Sequence, residues 1–168
     1  MIHKINSKQH NSKLCFVCGL KNNFGIHAHF YVTENQELIA LFTPSDEHQS
    51  YPGRLHGGIA SAILDETIGR AILNKYEAEV WGVTIELNLK FKKPIPLDQQ
   101  LKVIGRITNE SSRMFEGTGE IILPNGDVAV TANGKYLKVP IEKITDFDIE
   151  ENEWRVVELE TDPKEIEI

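Results

Sequence analysis

Basic charge, long apolar runs and cysteine are what this chain of 168 residues has least of. Its 18 Lys and Arg face 25 Asp and Glu for a net charge of -7, and no stretch gathers the cations into a stripe. Phosphate neutralisation needs such a stripe, which argues against nucleic acid, and no nucleic-acid partner is expected. No apolar run is long and uninterrupted enough to span a bilayer. The opening MIHKINSKQHNSK lacks the apolar segment of a signal peptide, so a cytoplasmic protein without membrane association is expected. Two cysteines cannot build a disulfide framework, and as a CxxC pair, Cys15 and Cys18, they suggest a metal or redox role before a structural bridge. There is no GxSxG, and with it no serine nucleophile elbow.

The acidic excess is local. Residues 141–168 hold 11 of the 25 carboxylates and 3 of the 18 cations, so the tail carries -8 and the rest +1. The simplest reading of that tail is a solvated appendage, although Trp154, Val156, Val157 and Leu159 could form an edge strand or clamp a surface. Ile141, Ile144 and Phe147 could begin a short helix. Three segments result: a polar head at 1–13, disordered or loosely docked, a body at 14–140, and the tail at 141–168.

Within the body, Leu55–Tyr76 reads as one long helix, apolar on nearly every side and therefore wrapped by protein. The wrapping is sheet. Residues 26–33 and 37–42 read as a hairpin, and Val83–Phe91 alternates apolar and polar residues without a fault, the pattern of a strand with one face on a core. Strands follow at 100–108, 115–123 and 128–139, the last two joined by a turn with Asn125-Gly126 at its centre. The order predicts an α+β domain, an antiparallel sheet wrapped around one long central helix.

Two features of that helix could carry chemistry. His56-Gly57-Gly58 opens it without a Ser, Thr, Asp or Asn cap, which leaves bare amides suited to an anion or a developing oxyanion, or else simply permits a tight turn. Asp65 then places a carboxylate in an apolar helix, with the small residues Ser61 and Gly69 one turn away leaving space for a ligand. A purely structural role, satisfied by backbone or a neighbouring subunit, is the other reading. Glu66 has Arg70 four residues on, and a surface ion pair accounts for it.

These residues resemble a family. HGGIASAILDE, preceded by HQSYPGRL and followed by GVTIELNLKF, is similar to the hotdog-fold acyl-CoA thioesterases of the phenylacetyl-CoA thioesterase type, and CFVCGLKNNFGI resembles a leader of one branch. The resemblance runs from about Cys15 to Val139. It implies that Asp65 acts as general base or nucleophile and that Gly58, with Gly57 beside it, polarises the thioester carbonyl. It further implies that Thr84 reaches the neighbouring subunit's site, although a solvent-facing threonine is the alternative. His56, Gln49, Ser50, Ser61, Gly69 and Arg113 are the expected substrate-binding positions, Arg113 with Lys92 and Lys93 for the coenzyme arm.

One departure stands out: many members have Asn where this chain has Ser50, and Gln49 could supply the amide instead. The expected substrate is an acyl-CoA, with coenzyme A as part of the substrate, no separate cofactor and no catalytic metal. The expected assembly is a homodimer or a dimer of dimers. A hotdog module that binds an acyl ligand without hydrolysis is the alternative, and a hydratase or dehydratase a third reading. Cys15 and Cys18 could also join His27 and His29 around zinc, or merely pack a turn.

Overall fold

The computed structural model describes residues 1–76 and 79–168. Its eight strands are β1 (Ile2–Lys8), β2 (His29–Thr33), β3 (Leu38–Phe42), β4 (Trp81–Phe91), β5 (Leu101–Glu110), β6 (Met114–Ile122), β7 (Val128–Val139) and β8 (Glu165–Glu167). They form one antiparallel sheet in the order β4-β7-β6-β5-β3-β2-β1-β8. The helix α1 (Gly57–Arg70) lies across the sheet and buries Ala60, Ile63, Leu64, Thr67 and Ile68. The architecture is the expected one, a curled antiparallel sheet around a central helix. Among the described residues no helix is long and apolar enough to cross a membrane.

The central helix is shorter than the reading of Leu55–Tyr76. It ends at Arg70, and after a turn at Ala71–Ile72 a four-residue helix, α2 (Leu73–Tyr76), follows. Its seat on the sheet is set by absent side chains. A Cβ on Gly105 would stand 2.8 Å from the Thr67 carbonyl oxygen, and one on Gly117 would stand 2.5 Å from Ile68 Cγ2. The helix therefore rests on bare backbone at β5 and β6, closer than any side chain would allow.

Strand β4 departs from its pattern. Thr84 pairs with Tyr136 and Glu86 with Lys135, so Ile85 is an extra residue, a bulge. The bulge exchanges the two faces of the strand. Before it, the even positions Gly82 and Thr84 look at the helix; beyond it, the odd positions Leu87 and Leu89 pack on the core. Ile85 is left 51% exposed. β4 is also an edge of the sheet, paired on one side only.

Neither terminus is loose. The head expected to be loosely docked is β1, paired with β2 on one side and β8 on the other. The tail is no solvated appendage: Trp154 is buried, stacks on His10 with centroids 5.2 Å apart, and lies against Trp81 and the Arg70 guanidinium. Asp162 takes an ion pair from Lys8 at 2.6 Å and a hydrogen bond from Tyr31 at 2.7 Å. Ile166 closes a second apolar cluster with Tyr31, Ile39, Ile104 and Ile122. The sheet thus runs through both the boundary at 14 and that at 140.

Trp154→Ala should therefore cost about 3 kcal/mol of unfolding free energy in urea titration, the loss typical of a buried aromatic. Ile144→Ala in the same tail, at an exposed position, should stay within about 0.5 kcal/mol. Equal effects would contradict the anchoring role of Trp154.

Candidate active site

Midway along α1, Asp65 and Glu66 stand on the wall of a cavity of about 470 Å³ that also holds Cys15, Thr84, Tyr136 and Trp154. Asp65 Oδ1 accepts hydrogen bonds from Thr84 Oγ1 at 2.8 Å and from Tyr136 OH at 3.2 Å. Oδ2 has no partner among the described residues. Thr84 and Tyr136 are cross-strand partners on β4 and β7, so one ladder position delivers both donors. Gly69, one turn beyond Asp65, gives Tyr136 its room, since a Cβ there would stand 3.2 Å from the ring. Burial and the nearby Asp65 charge push the Tyr136 phenol well above its ordinary range, so it stays a donor.

The bulge explains Thr84. Continuous alternation puts position 84 on the solvent face, whereas the face exchange at Ile85 aims it at Asp65 of its own chain. Tyr136 has no motif around it; in a strand it reads as one more core aromatic. Only its position opposite Thr84 reveals it.

Glu66 is not on the surface. Its carboxyl group pairs with Arg70 at 3.1 Å and shares a hydrogen bond with Cys15 Sγ at 3.2 Å, and both partners of the ion pair are largely buried. Burial pushes Glu66 up to about 7, against the pull of Arg70. A hydrogen bond from Cys18, with backbone N–H groups of Val17 and Cys18, draws the Cys15 thiol down to about 5 despite burial. The hydrogen bond to Cys15 and burial raise Cys18. His27 and His29 are not part of this cluster: His27 Nε2 meets the Asn22 carbonyl, and His29 lies in a separate cavity.

The start of α1 is capped after all. His56 is the N-cap, and its Nδ1 accepts from the Gly58 N–H at 2.9 Å. The amide expected to polarise a carbonyl is therefore occupied, and Gly57 N–H is the one without a hydrogen bond among the described residues. His48, buried, holds the preceding loop by accepting from Ser45 N–H and meeting the Phe24 carbonyl, while its own carbonyl accepts from His56 N–H. Gly57 borders a second cavity with Ser50, Arg54, Phe91, Lys92 and Lys93.

Of the remaining substrate-binding expectations, Gln49 Oε1 accepts from Gly53 N–H and shapes the loop, and Ser61 Oγ donates to the Gly57 carbonyl. Arg113 is exposed in the β5–β6 turn and lines neither cavity, so the structure does not bring it to the site. Lys93 pairs with Asp127 at 2.6 Å.

Two groups of features thus stand apart: Asp65 with its two hydroxyl donors, and the helix start with its cations. Eight residues of helix separate Gly57 from Asp65, about 12 Å at 1.5 Å per residue. One carbonyl cannot touch both within a chain.

Residues 52–130, from the loop before α1 to β7, match the model of the thioesterase superfamily. That match covers just under half of the chain and makes this region similar to the thioesterase superfamily. Acyl-coenzyme A thioesterase THEM4 of Mus musculus is 33% identical over 91 residues, which span 54% of this chain and 36% of that protein. A phenylacetic acid degradation-related protein of Ralstonia eutropha JMP134 superposes with a TM-score of 0.61 at 19% identity, over 67% of this chain and 85% of that one. A thioesterase protein of Streptococcus pneumoniae TIGR4, crystallised with coenzyme A, gives 0.57 at 17% identity, over 62% and 82%. Both structures share the fold. The chain spans well under half the length of the THEM4 proteins of mouse and rat.

The raised Tyr136 phenol makes stability depend on pH in a definite direction. A group whose folded pKa lies above its unfolded value contributes stability below the unfolded value, about 10 for tyrosine, and loses it as pH rises further. The native chain should therefore lose stability from pH 9 to 11 faster than Tyr136→Phe, by up to about 1.4 kcal/mol per pH unit. Parallel urea-unfolding profiles would contradict a protonated, buried Tyr136.

Proposed function

We propose that this chain hydrolyses an acyl-CoA thioester to the free acid and coenzyme A. The observation that carries the reading is Asp65 at the cavity wall with Oδ1 held by Thr84 and Tyr136 and Oδ2 unpartnered. The kinship with proteins named acyl-coenzyme A thioesterase supports it, as does the neighbour crystallised with coenzyme A.

The held carboxylate has one oxygen to act with. Oδ2 takes a proton from water as the water oxygen bonds to the thioester carbon, or bonds to that carbon directly. Negative charge grows on the carbonyl oxygen in either case, and the Gly57 N–H at the positive end of α1 stabilises it. In the first route, collapse of the tetrahedral adduct breaks the carbon–sulfur bond and the departing thiolate takes the proton from Asp65; in the second, collapse leaves a mixed anhydride on Asp65, water then cleaves it to the free acid, and that water's proton goes to the thiolate. The donors on Oδ1 hold the carboxylate oriented through these steps.

The 12 Å between Gly57 and Asp65 requires two chains for one site. Edge strand β4, with Ile85 and Phe91 exposed, suits antiparallel pairing with a second copy, which sets two α1 helices side by side with opposite ends adjacent. Asp65 of one chain then faces Gly57 of the other, in a homodimer or a dimer of dimers. Arg54 and Lys92, beside Gly57, suit the phosphates of the coenzyme arm. The free thiols of Cys15 and Cys18 suit a reducing compartment such as the cytoplasm.

Release of free thiol from short aliphatic, long aliphatic and aromatic acyl-CoAs tests this reading. Asp65→Asn should lower kcat by about a hundredfold or more while coenzyme A binding persists. Thr84→Ala should lower kcat/KM by about tenfold, the value of one hydrogen bond to a charged group. Gly57→Pro removes the free N–H alone, since His56 already has the extended backbone (φ -65, ψ 133) that a following proline demands and proline is accepted at the first helical position. It should lower kcat by about a hundredfold with little change in KM. Saturable binding with no turnover on any substrate would overturn hydrolysis in favour of an acyl-ligand-binding module.

A further inference from the structure

Beside the Asp65 site, on the same cavity wall, lies a cluster that thioester hydrolysis does not use. Cys15 Sγ, Cys18 Sγ and a Glu66 carboxylate oxygen all lie within 4.8 Å of one another, and they are the only such group among the described residues. The CxxC turn comes from the N-terminal leader and the carboxylate from α1, 48 residues beyond Cys18. Two distant segments therefore converge on one point. The backbone around them is fixed: Gly19 N–H donates to the Cys15 carbonyl at 2.7 Å, and Asn11 Nδ2 donates to the Cys18 carbonyl at 2.9 Å. A Cβ at Gly19 would stand 2.4 Å from the Cys15 carbonyl oxygen, so the turn tolerates only glycine after the second cysteine.

From these positions we infer that Cys15, Cys18 and Glu66 bind one divalent zinc-class cation, with the fourth coordination position open to the cavity. Two sulfur donors and one oxygen select a borderline-soft ion over magnesium or calcium. Cys15 Sγ and Glu66 Oε2, at 3.2 Å, are spaced nearly as neighbouring ligands in a tetrahedron are. The charges close as well. Two thiolates and a carboxylate bring three negative charges, buried Arg70 brings one positive, and a divalent ion brings the remaining two.

Arg70 and Ser12 provide the surrounding support that such a site needs. Arg70 pairs with Glu66 Oε1, the oxygen turned away from Cys15, at 3.1 Å, and its Nη2 lies 3.5 Å from Cys18 Sγ. Its Nη1 donates to the His10 carbonyl at 2.9 Å, and its plane lies over Phe30 and Trp154. Ser12 Oγ lies 3.3 Å from Cys18 Sγ. On binding, each thiol gives up its proton to solvent and its sulfur takes the metal; nothing is oxidised or reduced. The zinc set considered from spacing, with His27 and His29, is thereby replaced by one in which Glu66 stands for the histidines.

The full chain, reduced and stripped of metal by a chelator, would be titrated with Co²⁺ as a spectroscopic probe and then with Zn²⁺. The inference predicts one equivalent bound, intense tetrahedral visible bands with thiolate-to-cobalt charge transfer, and bleaching of both by Zn²⁺. Glu66→Gln should weaken binding by at least about tenfold, and Cys18→Ser should diminish the charge-transfer band. Because Cys18 is buried and its replacement perturbs the fold, protection is read on the native chain too: Zn²⁺ should slow alkylation of Cys15. Weak octahedral cobalt spectra, an unchanged affinity in Glu66→Gln, or alkylation indifferent to Zn²⁺ would each overturn the site. None of these readouts depends on turnover, so they stand apart from the hydrolysis reading.

Discussion

The close seating of α1 on the bare backbone of β5 and β6 is the constraint on which the rest depends. At Gly105 and Gly117 the helix approaches nearer than a methyl group permits, and this depth brings the polar turn of α1, Asp65 and Glu66, level with the hydroxyls of β4 and β7 and the thiols of the leader. A helix lifted by the width of a side chain would leave Asp65 in apolar surroundings without donors. A carboxylate there is tolerable only because Thr84 and Tyr136 meet it.

How much of this was legible in the sequence depended on whether a residue's role was local. Amphipathic period, turn chemistry and the HGG-to-Asp65 spacing are local signals, and the hairpin of β2 and β3, the run of β4 to β7, and the central helix all follow from them. The break at Ala71–Ile72 carried no such signal, because Ala-Ile-Leu continues a helical pattern as readily as it ends one. The bulge at Ile85 was invisible for a related reason: the alternation of apolar and polar residues passes through it undisturbed, while the backbone exchanges faces.

Residues whose roles depend on distant partners were hidden. Tyr136 is known as an Asp65 donor only through its pairing with Thr84. Glu66 and Arg70 satisfy a surface pairing rule at i, i+4, and nothing nearby says that Trp154 and Cys18 close over them. The acidic tail misled through composition. Its net charge describes the solvent-facing side, whereas Trp154, Asp162 and Ile166 are the few positions that anchor it. His56 was read as part of a bare turn because His is an uncommon cap, yet its Nδ1 serves as one and moves the free amide from Gly58 to Gly57.

The central claim is that Asp65 and the helix-terminal amide meet only across two copies of the chain. Mixing Asp65→Asn with Gly57→Pro under conditions that exchange subunits tests it directly. Each variant alone should keep no more than about a hundredth of native turnover, but a mixed dimer holds one site built from the intact Asp65 of one chain and the intact Gly57 of the other. With equal amounts, about a quarter of native turnover should return, half of the dimers each regaining half of their sites. A mixture that exchanges subunits yet stays as inactive as its parents would show that the two groups do not share a site.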